Sequence, residues 1–248
     1  TEAAAFFDVD NTLIQGSSLI LLAQGLFKKR FITLSELAPA LRKQIRYRVS
    51  GSENADDIAE GREQALAVVK GKSVAELKQA CREIVDNRML EKSYADTIEL
   101  AAMHLAAGQQ VWLVSATPVQ IGQALAETLG FTGALGTVAE EKDGKFTGRL
   151  VGDILHGPGK KHAVAALAAL QQLDLSKCTA YSDSINDLPM LEMVGSPVAI
   201  NPDRALRKHA KAQGWAVRDY RSVRRVVRAG VVPAVLAGAG LWWWRRRR

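Results

Sequence analysis

The chain opens with an unbroken apolar run, Ala3-Ala4-Ala5-Phe6-Phe7, that ends on two carboxylates, Asp8 and Asp10. A short continuous run of this kind reads as a strand buried on both faces, Ala3–Asp8, with a polar loop after it. From Ser17 to Gly108 the periodicity becomes helical. Ser18–Lys29, Ser35–Arg48, Asp56–Val69, Ser73–Val85 and Tyr94–Ala107 read as helices. Ser73-Val74-Ala75-Glu76 has the capping-box pattern, and Gly71 and Gly108 are helix stops. After Gly108 short strands and helices alternate. Strands are expected at Gln110–Val114, Cys178–Tyr181 and Val198–Ile200. Helices are expected through Leu129, over Lys160–Gln172 and Asn186–Met193, and near Asp203–Gln213. Thr137–Glu141 and Lys145–Gly148 flank Asp143-Gly144, a hairpin turn signal.

One strand, a long helical insert and then strand–helix units predict an α/β fold with a Rossmann-like parallel sheet. The expected organisation is a core from 1–16 and 109–220, an inserted helical cap at 17–108, and a C-terminal segment at 221–248. In open sheets of this kind the site lies at the carboxyl ends of the strands. Asp8 and Asp10, two apart, point to the same side there. Like charges so close stay ionised together only with a cation or a shared proton between them.

Three more polar clusters fall at strand ends or helix starts. Ser115 follows Val111-Trp112-Leu113-Val114. Lys160 follows Gly157-Pro158-Gly159 at a helix start, with Lys161 beside it leaving the register open. Ser182-Asp183-Ser184-Ile185-Asn186-Asp187 follows Thr179-Ala180-Tyr181. Taken singly, Asp8-Val9-Asp10 also fits a solvated turn, Ser115 a helix cap and Lys160 a surface lysine. In this order, over roughly residues 3–200, the pieces resemble the haloacid dehalogenase superfamily of phosphatases. The position of the helical insert is similar to the phosphoserine-phosphatase-like branch.

The resemblance implies a phosphomonoesterase working through an aspartyl-phosphate. Asp8 would be the nucleophile, and Asp10 would protonate the leaving group and then activate water. Asp8, the Asp10 backbone carbonyl and Asp183 would hold Mg²⁺. Asn11, Thr12, Ser115, Ala116 and Lys160 would bind the phosphoryl group, with Asn186 and Asp187 orienting the metal ligands and the lysine. Two positions depart from the phosphoserine phosphatases. The glutamate expected nine residues after the nucleophile is Ser17, and a loosely aligned arginine position falls on Ala65, with Arg62 near. Both departures lower the expectation for a zwitterionic serine headgroup.

Charge distribution then directs attention to the end of the chain. Residues 203–248 carry 13 Lys and Arg against 2 Asp and Glu, whereas the remainder carries 20 against 24. Ala229–Trp244 is an uncharged run between Arg221, Arg224, Arg225 and Arg228 on one side and Arg245–Arg248 on the other. A helix of that length spans about 24 Å, short of a bilayer core of about 30 Å. Trp242, Trp243 and Trp244 beside Arg245 and Arg246 suit an anionic interface. A packed helix with a basic tail is the plainer alternative.

The expectation is therefore a Mg²⁺-dependent phosphatase at the cytoplasmic side of the cell membrane. Its substrate would be a lipid-related phosphate of lysophosphatidate or phosphatidylglycerol phosphate type. The enzymatic alternative is a soluble small-metabolite phosphatase such as one for phosphoserine. A non-catalytic membrane- or nucleic-acid-docking protein is the alternative of another class. Nucleic acid is not expected as a partner, because the aromatics do not interleave with the basic residues. Nothing in the sequence speaks to oligomeric partners. Two cysteines, Cys81 and Cys178, give no disulfide framework or zinc spacing. The N-terminus reads without a secretory leader, and a reducing compartment is the default.

Overall fold

The computed structural model describes residues 2–33, 35–36, 66–152 and 154–221. Its centre is β1 (Ala4–Asp8), every residue of which is buried. Ala5 and Phe7 pack into one hydrophobic cluster and Ala4 and Phe6 into the other, so the strand is apolar on both faces because the sheet is covered on both.

After β1 the chain turns into α1 (Ser18–Lys28) and continues to α2 (Val74–Ile84). The Ser73 hydroxyl accepts the Glu76 N–H at 3.3 Å, the cap that the Ser-x-x-Glu spacing predicts. A π-helical turn (Val85–Met89) and a 3₁₀ turn (Leu90–Lys92) lead into α3 (Ala95–Ala106). The helices expected over 35–48 and 56–69 fall largely outside the described residues, as do Arg62 and Ala65.

β2 (Gln110–Pro118) is longer than Gln110–Val114. The strand runs on through Ser115-Ala116-Thr117 because Pro118 pairs with Thr137 after a register shift, and the Thr137 hydroxyl donates to the Ala116 carbonyl at 2.7 Å. Ser115 is therefore a strand residue and not a helix cap. α4 (Val119–Leu129) follows, then β3 (Gly133–Thr137), a short Gly- and Ala-containing strand that hydropathy did not reveal. β4 (Ala139–Lys142) and β5 (Lys145–Leu150) form the expected hairpin, shifted by two residues at its outer ends. The hairpin docks on the segment before α2. The Gly71 N–H donates to the Phe146 carbonyl at 2.8 Å, and the Val74 N–H to the Gly144 carbonyl at 3.0 Å.

The remaining elements are α5 (Pro158–Gln171), β6 (Thr179–Ser182), the short α6 (Leu188–Leu191), β7 (Ser196–Ile200), α7 (Arg204–Ala212) and β8 (Ala216–Arg218). The strand order is β3-β2-β1-β6-β7-β8, and every neighbouring pair is parallel. All six carboxyl ends therefore lie along one edge. β8 is too short and too polar to stand out in the sequence. Among the described residues no helix is long and apolar enough to cross a membrane.

Candidate active site

Strand register brings the polar clusters together. Asp8 pairs with Val114, so Ser115 stands one residue beyond it on β2. Phe7 pairs with Tyr181, which sets Ser182 beside Asp8 and Asp183 just past the edge. The third component comes from α5. Pro158 occupies its first turn, where a missing N–H costs nothing. A Cβ on Gly159 would lie 2.5 Å from the Ile154 carbonyl oxygen, so only glycine lets the helix start this close to the preceding loop.

Lys160 projects from this start into the site and is 4 % exposed, whereas Lys161 is exposed. That difference settles the register between them. The Lys160 ammonium donates to Asp8 Oδ1 at 2.5 Å and to Asp187 Oδ2 at 2.7 Å. The Ser182 hydroxyl also donates to Asp187 Oδ2, at 2.7 Å, and the Thr12 hydroxyl donates to Asp8 Oδ2 at 3.1 Å. Both oxygens of Asp8 are thus engaged.

The turn after β1 is tightly braced. Leu13 and Ile14 N–H groups donate to the Val9 carbonyl at 3.0 and 2.9 Å, and the Thr97 hydroxyl of α3 donates to the Thr12 carbonyl at 2.9 Å. The Asp10 carboxylate faces α1, accepting the Ser18 N–H at 2.9 Å and the Ser18 hydroxyl through the same Oδ1. Ser115 is buried, its hydroxyl 2.8 Å from that of Thr117, and Ala116 is exposed beside it.

Electrostatics follow from burial. Desolvation pushes the Asp8 carboxyl up to about 8; Lys160 opposes this, while Asp187, Asp183 and Asp10 add to it. Asp183 rises to about 7, again through burial first, with the Asn11 side chain pulling it down and Asp187 pushing it up. Burial acts to lower Lys160, but Asp8 and Asp187 outweigh it and its affinity for a proton rises. One lysine against this many clustered carboxylates leaves negative charge uncompensated. Hard oxygen donors in that state suit a small divalent cation. Among the described residues no three His, Cys, Asp or Glu side chains form a ready-made metal cage. A site of two carboxylates, completed by a backbone carbonyl, phosphate and water, does not require one.

Of the residues expected here, Asp8, Thr12, Lys160 and Asp187 are joined by direct hydrogen bonds. Asp10, Asn11, Ser115, Ala116 and Asp183 border them at the same edge. Asn186 does not join them. It is exposed, and its recorded bond is its backbone N–H donating to the Ser184 hydroxyl at 3.2 Å. The side chain bonded to Asp187 besides Lys160 is that of Ser182. Ser18, Asn201 and Asp203 also reach the site edge and were not anticipated. Ser18 lies eight residues from its partner Asp10, the one contact that sequence spacing could have suggested. Trp242, Trp243, Trp244, Arg245 and Arg246 lie outside the described residues.

A profile of haloacid dehalogenase-like hydrolases matches residues 5–192, and the chain belongs to that family. Among its relatives is the phosphoserine phosphatase SerB1 of Mycobacterium tuberculosis (strain ATCC 25618 / H37Rv). The two are 53 % identical over 237 residues, covering 96 % of this chain and 77 % of the relative. A solved structure of a Bordetella pertussis Tohama I protein with unknown function superposes with a TM-score of 0.77 at 30 % identity, covering 88 % of this chain and 99 % of the other. A phospho-aspartyl intermediate analogue of phosphoserine phosphatase superposes at 0.58 with 19 % identity, covering 90 % and 97 %, a likeness of fold.

Proposed function

We propose that the protein hydrolyses small soluble phosphomonoesters through an aspartyl-phosphate. The observation that carries this reading is Lys160, buried and bonded at once to Asp8 and Asp187 beneath the carboxyl edge of the sheet. An Asp8 oxygen attacks phosphorus, the bond from phosphorus to the ester oxygen breaks, and Asp10 gives its proton to the departing alkoxide. Asp10 then takes a proton from a water that attacks the phosphorus, releasing phosphate and restoring the Asp8 carboxylate. Lys160, Ser115 and the N–H groups near Asn11, Thr12 and Ala116 hold the transferring oxygens. Asp187 and Ser182 keep the lysine aimed. Mg²⁺, held by Asp8, Asp183 and the Asp10 carbonyl, would neutralise charge on the phosphoryl oxygens.

Phosphoserine is the first substrate to test, because the relative SerB1 carries that name. The lipid-phosphate expectation rests on Ala229–Trp244 and on the departures at Ser17 and Ala65, and gives way to the soluble alternative. Ser17 favours a second reading within the same class. With no carboxylate at that position to meet an ammonium group, a phosphomonoester without the serine zwitterion would bind as well as phosphoserine. Attachment of the basic tail to the cytoplasmic face of a membrane is a separate proposal, which concerns location and not chemistry.

The deciding experiment measures phosphate release by the full chain with Mg²⁺ from phosphoserine, other small alcohol phosphates, p-nitrophenyl phosphate and lysophosphatidate. The reading expects turnover of soluble esters that is abolished by Asp8→Asn. No turnover of any ester, or turnover that survives Asp8→Asn, refutes it. Selective turnover of lysophosphatidate would restore the lipid reading.

A further inference from the structure

The loop after β7 carries a polar residue that the chemistry above does not use. Asn201 is fully buried and adopts left-handed backbone, φ +47°. Its own N–H donates to the Arg218 carbonyl at 2.7 Å, and its Oδ1 accepts the Tyr220 N–H at 2.7 Å. These two bonds tie β7 to β8 and the residue pair beyond it. The third bond leads elsewhere. Asn201 Nδ2 donates at 2.8 Å to the carbonyl of Asn11, in the turn that leaves Asp8.

A buried amide loses its water at both ends, so each end needs a partner. Closing the sheet edge uses only the Oδ1 end. The donor end is satisfied at Asn11, which is itself left-handed at φ +54° and whose Oδ1 accepts the Gly16 N–H at 3.1 Å. Among the described residues no peptide bond is cis. In a planar trans peptide the carbonyl and the following N–H point in opposite directions. Fixing the Asn11 carbonyl on Asn201 therefore turns the Thr12 N–H to the far side. The Thr12 hydroxyl is on Asp8, and its carbonyl is held by Thr97. The same loop also grips the second catalytic turn, with the Asp203 N–H on the Asp183 carbonyl at 2.7 Å and the Ile185 N–H on Asp203 Oδ2 at 2.8 Å.

We propose that Asn201 is a positioning residue for the phosphoryl-binding turn, holding the Asn11–Thr12 peptide so that this turn keeps its aim relative to Asp8. It acts through Asn11 and touches no substrate. The inference rests on the reading of Asp8 as nucleophile.

The test compares full-length wild type, Asn201→Asp and Asn201→Gly with p-nitrophenyl phosphate and phosphoserine under saturating Mg²⁺. Thermal unfolding is followed in parallel. Both substitutions tolerate left-handed backbone. Asn201→Asp keeps the acceptor for Tyr220 but sets a carboxyl oxygen against the Asn11 carbonyl in place of the amide donor. Both variants are expected to lose kcat by about 10- to 100-fold, with a much smaller change in KM, at a temperature where the melts show each variant fully folded. In wild type, the Asn201 side-chain amide resonances are expected to shift when Mg²⁺ and beryllofluoride, a phosphoryl mimic, are added. That measurement stands even if the variants misfold. Wild-type kcat in Asn201→Gly, a loss of kcat that only tracks the unfolded fraction, or unmoved amide resonances overturns the inference. Active wild type with indifferent variants sinks the inference alone, whereas inactive wild type sinks the Asp8 reading with it.

Discussion

The Lys160 ammonium lies 2.5 Å from Asp8 Oδ1 with both side chains almost entirely buried. Lys160 also meets Asp187 at 2.7 Å, so one cation serves two buried carboxylates. Truncating it leaves both unpaired. Lys160→Met is expected to cost about 3–5 kcal/mol of stability, the usual consequence of removing one partner from a buried pair. Turnover should be abolished as well. Chemical denaturation and phosphate release measure the two effects separately, and a variant as stable as wild type would mean that the pair does not hold the site together.

The raised carboxyls set the pH behaviour of the metal-free protein. Asp8 moves from 3.8 to about 8 and Asp183 from 3.8 to about 7. In the window between the unfolded and folded values the native state binds more protons than the unfolded state. Stability therefore falls as pH rises through about 4–8, the reverse of a salt-bridged carboxylate. A divalent cation competes with those protons for the same carboxylates, so its stabilisation of the folded state grows as pH rises and they ionise. Thermal melts with EDTA should thus show falling midpoints toward pH 8, and Mg²⁺ should raise the midpoint and flatten the slope. A metal-free stability that rises across this window would contradict the assignment.

The catalytic motifs were legible because each is local. Asp8, Ser115 and Asp183 follow apolar runs, and Lys160 follows Gly-Pro-Gly, so a strand end or helix start is visible within a few residues. The parallel sheet followed from the same alternation. Residues that brace the site were not legible, because their partners are remote. Asn201 reaches Asn11 across 190 positions and Asp203 reaches Ile185 across 18. An asparagine or aspartate after a strand looks like any turn residue. Asn186 is exposed on the 3₁₀ turn Ile185–Asp187, while Ser182, which the motif did not single out, makes the contact with Asp187. β3 and β8 were missed because length and composition carry little strand signal in Gly133–Thr137 and Ala216–Arg218.

Asp203 does two jobs that one substitution separates from chemistry. Its Oδ1 accepts the Leu206 N–H at 2.7 Å as the cap of α7, and its Oδ2 accepts the Ile185 N–H. Asp203→Ala removes both bonds and is expected to cost about 1–2 kcal/mol. Asp203→Asn keeps an acceptor for the cap and should recover most of that loss. Denaturant unfolding of the two variants checks this, and equal losses would show that capping is not the source.

The tail makes a prediction independent of the active site. The run Ala229–Trp244 and the four closing arginines should bind vesicles containing anionic lipid and release them at high salt. Co-sedimentation of full-length protein, and not of a chain ending at residue 228, is the expected result. Turnover of soluble phosphomonoesters should be the same for both. Equal sedimentation of the two would remove the membrane from the account.

Ser18 joins α1 to Asp10, the residue proposed to transfer the proton, since its N–H and hydroxyl both bond to Asp10 Oδ1. Ser18→Ala removes the hydroxyl and leaves the N–H, so Asp10 keeps one of two holds. The consequence depends on the leaving group. An alkoxide leaving from phosphoserine needs the Asp10 proton, whereas p-nitrophenolate is stable without it. In kcat/KM, which covers steps through the first phosphoryl transfer, the variant should lose about tenfold on phosphoserine, the worth of one hydrogen bond to a charged group. The loss on p-nitrophenyl phosphate should be much smaller. Equal losses on both substrates would assign Ser18 to packing the start of α1 and leave the aim of Asp10 to the backbone alone.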